Sequence, residues 1–183
     1  MRWASSSAGS GTRWPRSIGS MAATDVAESY FDAIARHDLD AIAAHYSPEL
    51  VVDMMGQGIL RGPGEMRAFF ESLFAAVPDA EMTAQRIVGD ERVAFVQWRL
   101  RGTFSGAPLF GIDATGGWIE HRGCDVVEVA EGLITRNTAY QDGVEMLRAF
   151  GMLPPLDSPA ERGMKQAFNV ATRARKALKE RFG

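Results

Sequence analysis

Apolar positions recur every three or four residues in the first half of the chain and every second residue in the second half. Ala27, Tyr30, Phe31, Ile34 and Ala35 keep helical spacing after Asp25, with Thr24 as a candidate cap. His37 and Asp38 break the run. Residues 39–45 then predict a second short helix, capped by Asp38 and ended by Pro48. Residues 50–54 are apolar and β-branched, interrupted by Asp53, and predict a strand. Gly56, Gly58, Gly62, Pro63 and Gly64 predict a loop. A third helix is expected over 65–76, with Met66, Phe69, Phe70, Leu73 and Phe74 on one face.

After Pro78 the period drops from near 3.6 to 2. Residues 80–89, 92–104, 117–129 and 133–141 read as four strands. The last turn, Glu131-Gly132, is too short for a parallel crossover, so antiparallel neighbours are expected. Residues 143–151 predict a short closing helix, and Pro154-Pro155 stop the domain. Residues 159–182 predict a separate amphipathic helix with Met164, Phe168, Ala171, Leu178 and Phe182 on one stripe. Helices and strands are segregated along the chain, which signals an α+β fold. A curved antiparallel sheet wrapped over the N-terminal helices leaves a conical apolar space, a favoured place for a ligand.

Composition narrows the function classes. The 183 residues suit one domain with trimmings, 46% hydrophobic and 23% charged. No apolar run approaches the ~20 residues of a membrane-spanning helix. One cysteine, Cys124, permits no internal disulfide, so the expected compartment is the reducing cytoplasm. With that single Cys and three His, a structural zinc site is not expected. The net charge of −3 conceals an asymmetry. Residues 21–158 carry ten Arg against 21 acids, while residues 159–183 carry seven basic groups against two acids. An acidic body repels nucleic-acid backbones, so no nucleic-acid partner is expected. The basic tail helix is poor in aromatics, so a packing arm is expected rather than a membrane contact. Residues 1–20 are rich in Ser, Gly and Arg and lack the apolar stretch of a secretory signal. The expected organisation is a disordered leader over 1–23, with Met21 a candidate start, one domain over 24–155, and a basic helical tail over 156–183. The glycine strings lack the Lys-Ser/Thr of a phosphate loop, so no nucleotide is expected.

Several strings in this order resemble a known superfamily. They are Tyr30-Phe31-Asp32-Ala33, His37-Asp38-Leu39-Asp40-Ala41-Ile42, Leu60-Arg61-Gly62, Trp98 through Phe104, Gly123 through Val129, and Tyr140-Gln141-Asp142. Over about residues 24–155 the chain resembles the nuclear-transport-factor-2-like superfamily, in its SnoaL-like polyketide cyclase and ketosteroid isomerase branch. The resemblance implies a cystatin-like α+β barrel. It also implies a homodimer through the outer sheet face, a hydrophobic small-molecule ligand and chemistry without a cofactor. Many unrelated tasks share this fold.

Candidate chemistry follows from carboxyl groups. The resemblance places Asp142 where SnoaL-like cyclases hold an acid/base that moves a proton beside a carbonyl, and where limonene-epoxide hydrolases also carry an Asp. The same residue is equally suited to cap a helix starting near Gly143. Strict alternation groups Asp142 with Tyr140 and Ile134, opposite Asn137 and Gln141; a bulge would exchange the faces. Asp125 shares a strand face with His121, Val127 and Val129, which points it inward. By resemblance, Asp125 and Tyr30 match the oxyanion hole of ketosteroid isomerases, where an acid and a phenol donate to a developing enolate. A structural Tyr–Asp pair is the plainer reading. His121 is a candidate pocket base or donor. Met54, Phe70, Trp98, Asn137 and Gln141 complete the set as ligand-lining positions. Two departures from the family pattern matter. The isomerase base falls near Met54, with Asp53 one residue out of phase. The epoxide hydrolase Arg-x-Asp is replaced by Arg99-Leu100-Arg101.

Overall fold

The structure is a computed structural model and describes residues 21–182. Most of the expected leader therefore lies outside the described residues. Helix α1 (Ala23–Ala35) buries Ala27, Tyr30, Phe31 and Ile34 of the predicted stripe, with Val26 beside them, and leaves Ala35 exposed. Its first turn is not capped by Thr24: Ala22 occupies the cap position without a side-chain bond. Helix α2 (Leu39–Ala44) starts as expected, with Asp38 accepting from Ala41 N at 2.9 Å. Strand β1 (Tyr46–Met54) begins four residues earlier than the pattern predicts and runs through Pro48.

The glycine-rich stretch holds a short strand, β2 (Gly58–Arg61), where a loop was expected. Its hairpin with β1 needs Gly56 at φ 81°, a left-handed turn position. Helix α3 (Gly62–Ala76) follows with Pro63 in its first turn, where the missing N–H costs nothing. Strands β3 (Glu81–Gly89), β4 (Val93–Thr103), β5 (Trp118–Ala130) and β6 (Leu133–Gln141) match the period-2 segments. Helices α4 (Gly143–Ala149) and α5 (Pro159–Phe182) close the described chain.

The six strands form one sheet in the order β2-β1-β6-β5-β4-β3. Consecutive strands pair antiparallel, but β1 and β6 run parallel, so the curved, open sheet is mixed rather than wholly antiparallel. The periodicity of 133–141 says nothing about β1, which pairs with it from about 85 residues away in sequence. The long intervening chain leaves either direction open to that pair.

One irregularity decides which residues face inward. Glu128 pairs with Arg136, yet the next residue, Val129, pairs with Ile134, so Thr135 is the extra residue of a bulge. The bulge exchanges the faces of β6. Ile134 is buried before it, and Asn137 and Ala139 are buried after it, while Tyr140 is half exposed. On β5 the alternation is unbroken: Ile119, His121, Asp125, Val127 and Val129 are all buried. Helices α1 and α3 pack against the sheet from that inner side.

Beyond the sheet, Phe150 packs edge-on to Phe104, with centroids 5.1 Å apart, and seats α4 over the end of the sheet. Helix α5 is anchored at its first turn. Buried Glu161 accepts from Arg148 at 2.7 Å and from Asp157 N at 2.8 Å. Past that anchor Met164, Phe168 and Leu178 of the predicted stripe are exposed; the side chain of Phe182 lies outside the described residues. Among the described residues no helix is long and apolar enough to cross a membrane.

Candidate active site in an apolar hollow

The inner sheet face, α1, α3 and α4 line a partly open hollow. Its walls are apolar. Helix α3 supplies Met66, Phe69, Phe70 and Leu73, and β1 supplies Val52 and Met54. Met146, Ala149 and Phe150 of α4 close one side. Gln57, beside the mouth, donates to Met146 Sδ at 3.3 Å. Leu109 and Phe110 of the long loop after β4 also reach the hollow.

Polar groups enter this lining at few points. Asp125 is among the lining residues and is 5% exposed. Trp98 Nε1 donates to Asp125 Oδ1 at 2.7 Å, and Asn137 Nδ2 donates to Oδ2 at 2.8 Å. Burial pushes the Asp125 carboxyl up from 3.8 to about 6, against the opposing pull of the Asn137 and Trp98 hydrogen bonds. Trp98 can reach Asp125 because its indole lies over Gly123, its direct partner across β4 and β5. A Cβ at Gly123 would overlap Trp98 Cζ2. The Gly123-Cys124-Asp125 string is therefore a packing requirement of the site.

Tyr30 lines the hollow from α1, but its partner is a second phenol rather than Asp125. The hydroxyls of Tyr30 and Tyr46 lie 2.7 Å apart. Burial holds both phenols above their ordinary pKa, so both remain neutral donors. When Tyr46 donates to Tyr30, the Tyr30 hydrogen is left for a ligand. Tyr46 was not visible as a site residue from sequence, because it sits where helix spacing gives way to strand spacing. Its aromatic type at a strand start was the signal to use.

Toward the end of β5, buried His121 places Nε2 at 2.9 Å from Gln141 Oε1 and its ring 5.5 Å from Trp98. Its Nδ1 lies 3.7 Å from Glu145 Oε2. Glu145, a second residue not singled out beforehand, is held by Arg122 through Nε at 3.1 Å.

Asp142 takes a different place. Its Oδ1 accepts from Val144 N at 2.9 Å and Glu145 N at 3.1 Å, which makes it the N-cap of α4. It is exposed and is not part of the hollow's lining. The N–H groups of Glu145 and Val144 hold its carboxyl below the usual value, the reverse of what a proton-transfer group needs. The bulge at Thr135 is the cause, since it turns Gln141 inward and leaves Asp142 at the rim. Of the two roles left open for Asp142, the structure shows the helix cap. Asp53 lies between the lining residues Val52 and Met54 and so on the opposite face. The structure brings Asp125, Tyr30, His121, Met54, Phe70, Trp98, Asn137 and Gln141 together around one space. Among the described residues no group of three His, Cys, Asp or Glu is placed to hold a metal ion.

Comparison with known proteins extends this geometry. The fold is similar to AclR, provisionally assigned as a hydroxylase, from Streptomyces galilaeus, at 19% identity and a TM-score of 0.64, covering 87% of this chain and 95% of that one. It is similar to a provisionally assigned SnoaL-like polyketide cyclase from Jannaschia sp. CCS1, at 19% identity and a TM-score of 0.66, covering 78% and 100%. It is also similar to an LEH-like epoxide hydrolase from M. tuberculosis, at 20% identity and a TM-score of 0.57, covering 71% and 90%. At these identities the likeness concerns the fold. No curated protein matches the sequence. The SnoaL-like domain profile matches residues 27–137, more than half of the chain and the span that carries Tyr30, Trp98, Asp125 and Asn137, so the chain belongs to the SnoaL-like domain family.

Proposed function

We propose that the protein is a cofactor-independent enzyme that moves a proton on an apolar carbonyl compound, with Asp125 as the proton-transfer group. The observation that carries this reading is a carboxyl buried in the lining of an apolar hollow, where loss of water pushes it up to about 6. Such a group is a base at neutral pH yet holds a proton well enough to return it. The ionised Asp125 takes a proton from a carbon beside the ligand's carbonyl. The C–H electron pair moves onto the carbonyl oxygen as an enolate. Tyr30, with Tyr46 behind it, is the donor available to that oxygen. The enolate carbon then either attacks a second carbonyl, closing a ring as the Asp125 proton passes to the new alkoxide oxygen, or the proton returns at another carbon, an isomerisation.

The acid/base role that the resemblance gave to Asp142 moves in this reading to Asp125, because Asp142 is occupied as a helix cap. Epoxide hydrolysis finds less support. Trp98 and Leu100 line the hollow, so Arg99 and Arg101 fall on the other face of β4. A dimer through the outer sheet face belongs to the same reading, with exposed Val88, Phe95 and Tyr140 as its apolar centre. A cytoplasmic location fits the single free Cys124.

A second reading, a ligand-binding protein without turnover, is favoured by one observation. Both oxygens of Asp125 already accept hydrogen bonds, as a structural carboxylate would. Turnover of a library of apolar diketones by wild type, Asp125→Asn and Asp142→Asn separates the two. The enzyme reading expects loss with Asp125→Asn alone. Tight binding of library members with no turnover by any of the three proteins supports the second reading and overturns the first.

A further inference from the structure

Two buried polar atoms bordering the hollow have no hydrogen-bond partner: Asn137 Oδ1 and Gln141 Nε2. An unpaired buried polar atom costs about 1–3 kcal/mol, so two in one cavity call for an explanation. Their identities are set by their neighbours. Asn137 must present Nδ2 to the Asp125 carboxylate, so its free end is the acceptor Oδ1. With His121 Nε2–H donating to Gln141 Oε1, the free end of Gln141 is the donor Nε2.

The two amides lie four residues apart on β6, past the bulge and on one face. At about 3.3 Å per residue this is a separation of roughly 13 Å. Between them on β6 lies Ala139, with Asp125 its direct partner on β5 and the Trp98 indole over Gly123. Asn137 donates to Asp125. Gln141 marks the His121 end, where Glu145 Oε2 stands 3.7 Å from His121 Nδ1. The carboxylates of Glu145 and Asp142 at that end disfavour an anionic ligand group.

We infer that the hollow selects an elongated apolar ligand with an oxygen function at each end, a hydroxyl that donates to Asn137 Oδ1 and a neutral acceptor oxygen that takes a hydrogen bond from Gln141 Nε2. The inference rests on the hollow being a ligand site and does not require turnover. It makes Gln141 a specificity-determining residue about 13 Å along the strand from Asn137.

The test measures affinity by calorimetry for four probes: biphenyl, 4-phenylphenol, 4-acetylbiphenyl and 4-acetyl-4′-hydroxybiphenyl. The two-ended probe is expected to bind about tenfold tighter than either one-ended probe, as one net hydrogen bond allows. In Gln141→Leu the gain from the acetyl group disappears while 4-phenylphenol binds as before. Gln141→Glu, which keeps an acceptor for His121 but offers no amide donor, is expected to do the same. Equal affinity for all four probes, no binding of any, or an acetyl gain that survives both substitutions overturns the inference. Those results leave the role of Asp125 in turnover untouched. Loss of turnover dependence on Asp125 with the acetyl gain intact would overturn the enzyme reading and keep this one.

Discussion

Asp125 and Asp142 lie 17 residues apart, one within β5 and the other just past the end of β6, and their carboxyl pKa values move in opposite directions. Asp125 faces the inner side of β5 under α1 and α3, where loss of water raises its pKa to about 6. Asp142 follows the last residue of β6, where two backbone N–H groups stabilise its charge and lower its pKa. The residue type is the same; the face of the sheet and the identity of the donors differ. A carboxyl becomes suited to proton transfer when burial outweighs its hydrogen bonds, and becomes a structural anchor when the hydrogen bonds prevail.

The largest expected difference is in turnover. Asp125→Asn is expected to lower kcat by about 10²–10⁴-fold. Asp142→Asn, which keeps a capping side chain, is expected to change it by no more than about twofold. Equal losses in both variants would erase the distinction. The same pKa makes kcat/KM fall as pH drops below about 6, because the base form of Asp125 is consumed by protonation.

Stability should move the opposite way with pH. The folded state binds the Asp125 proton more tightly than the unfolded chain, whose carboxyl titrates near 3.8. The stabilisation is complete below pH 3.8 and is lost as pH rises through about 6. Its size is about 3 kcal/mol, from the difference between the two pKa values. Denaturant melts of wild type and Asp125→Asn across pH 4–7 check this. The difference in stability between the two proteins should drift by about that amount over the range, and a difference that stays constant would contradict the burial account. Asn at 125 remains compatible with the site, since Asn137 can turn its unpaired Oδ1 toward the new amide.

Much of this was legible in the sequence, and the failures have definite physical origins. The period-2 spacing of His121, Asp125, Val127 and Val129 correctly sent Asp125 inward, because no bulge interrupts β5. The helical stripes of α1 and α3 appeared where expected, because both bury one face against the sheet. The face of Asp142 stayed open because a single extra residue, Thr135, exchanges faces without leaving a mark in the hydrophobic pattern. Strand β2 was hidden by glycines that its tight hairpin requires. The parallel pairing of β1 with β6 is a long-range choice that local periodicity does not encode. Tyr46 escaped notice because its partner, Tyr30, lies 16 residues away on another element.

Smaller effects refine the contrast. Gly123→Ala forces the Trp98 indole off the strand and is expected to cost about 1–3 kcal/mol. It also weakens the Trp98 hydrogen bond that opposes the upward pull on Asp125, so the pKa of Asp125 should rise further. Asp142→Ala removes only the α4 cap and is expected to lower Tm by about 2–4 °C, read by calorimetry. A larger fall would mean that Asp142 does more than cap.

The most direct test of the account is a carbon-detected NMR titration of the aspartate side-chain carboxyls, assigned by comparison with Asp125→Asn and Asp142→Asn. The Asp125 resonance should titrate with a midpoint near 6 and that of Asp142 below 3.8. A midpoint at or below 3.8 for Asp125 would mean that water reaches the carboxyl, and the hollow would then lack the base on which the proposed chemistry depends.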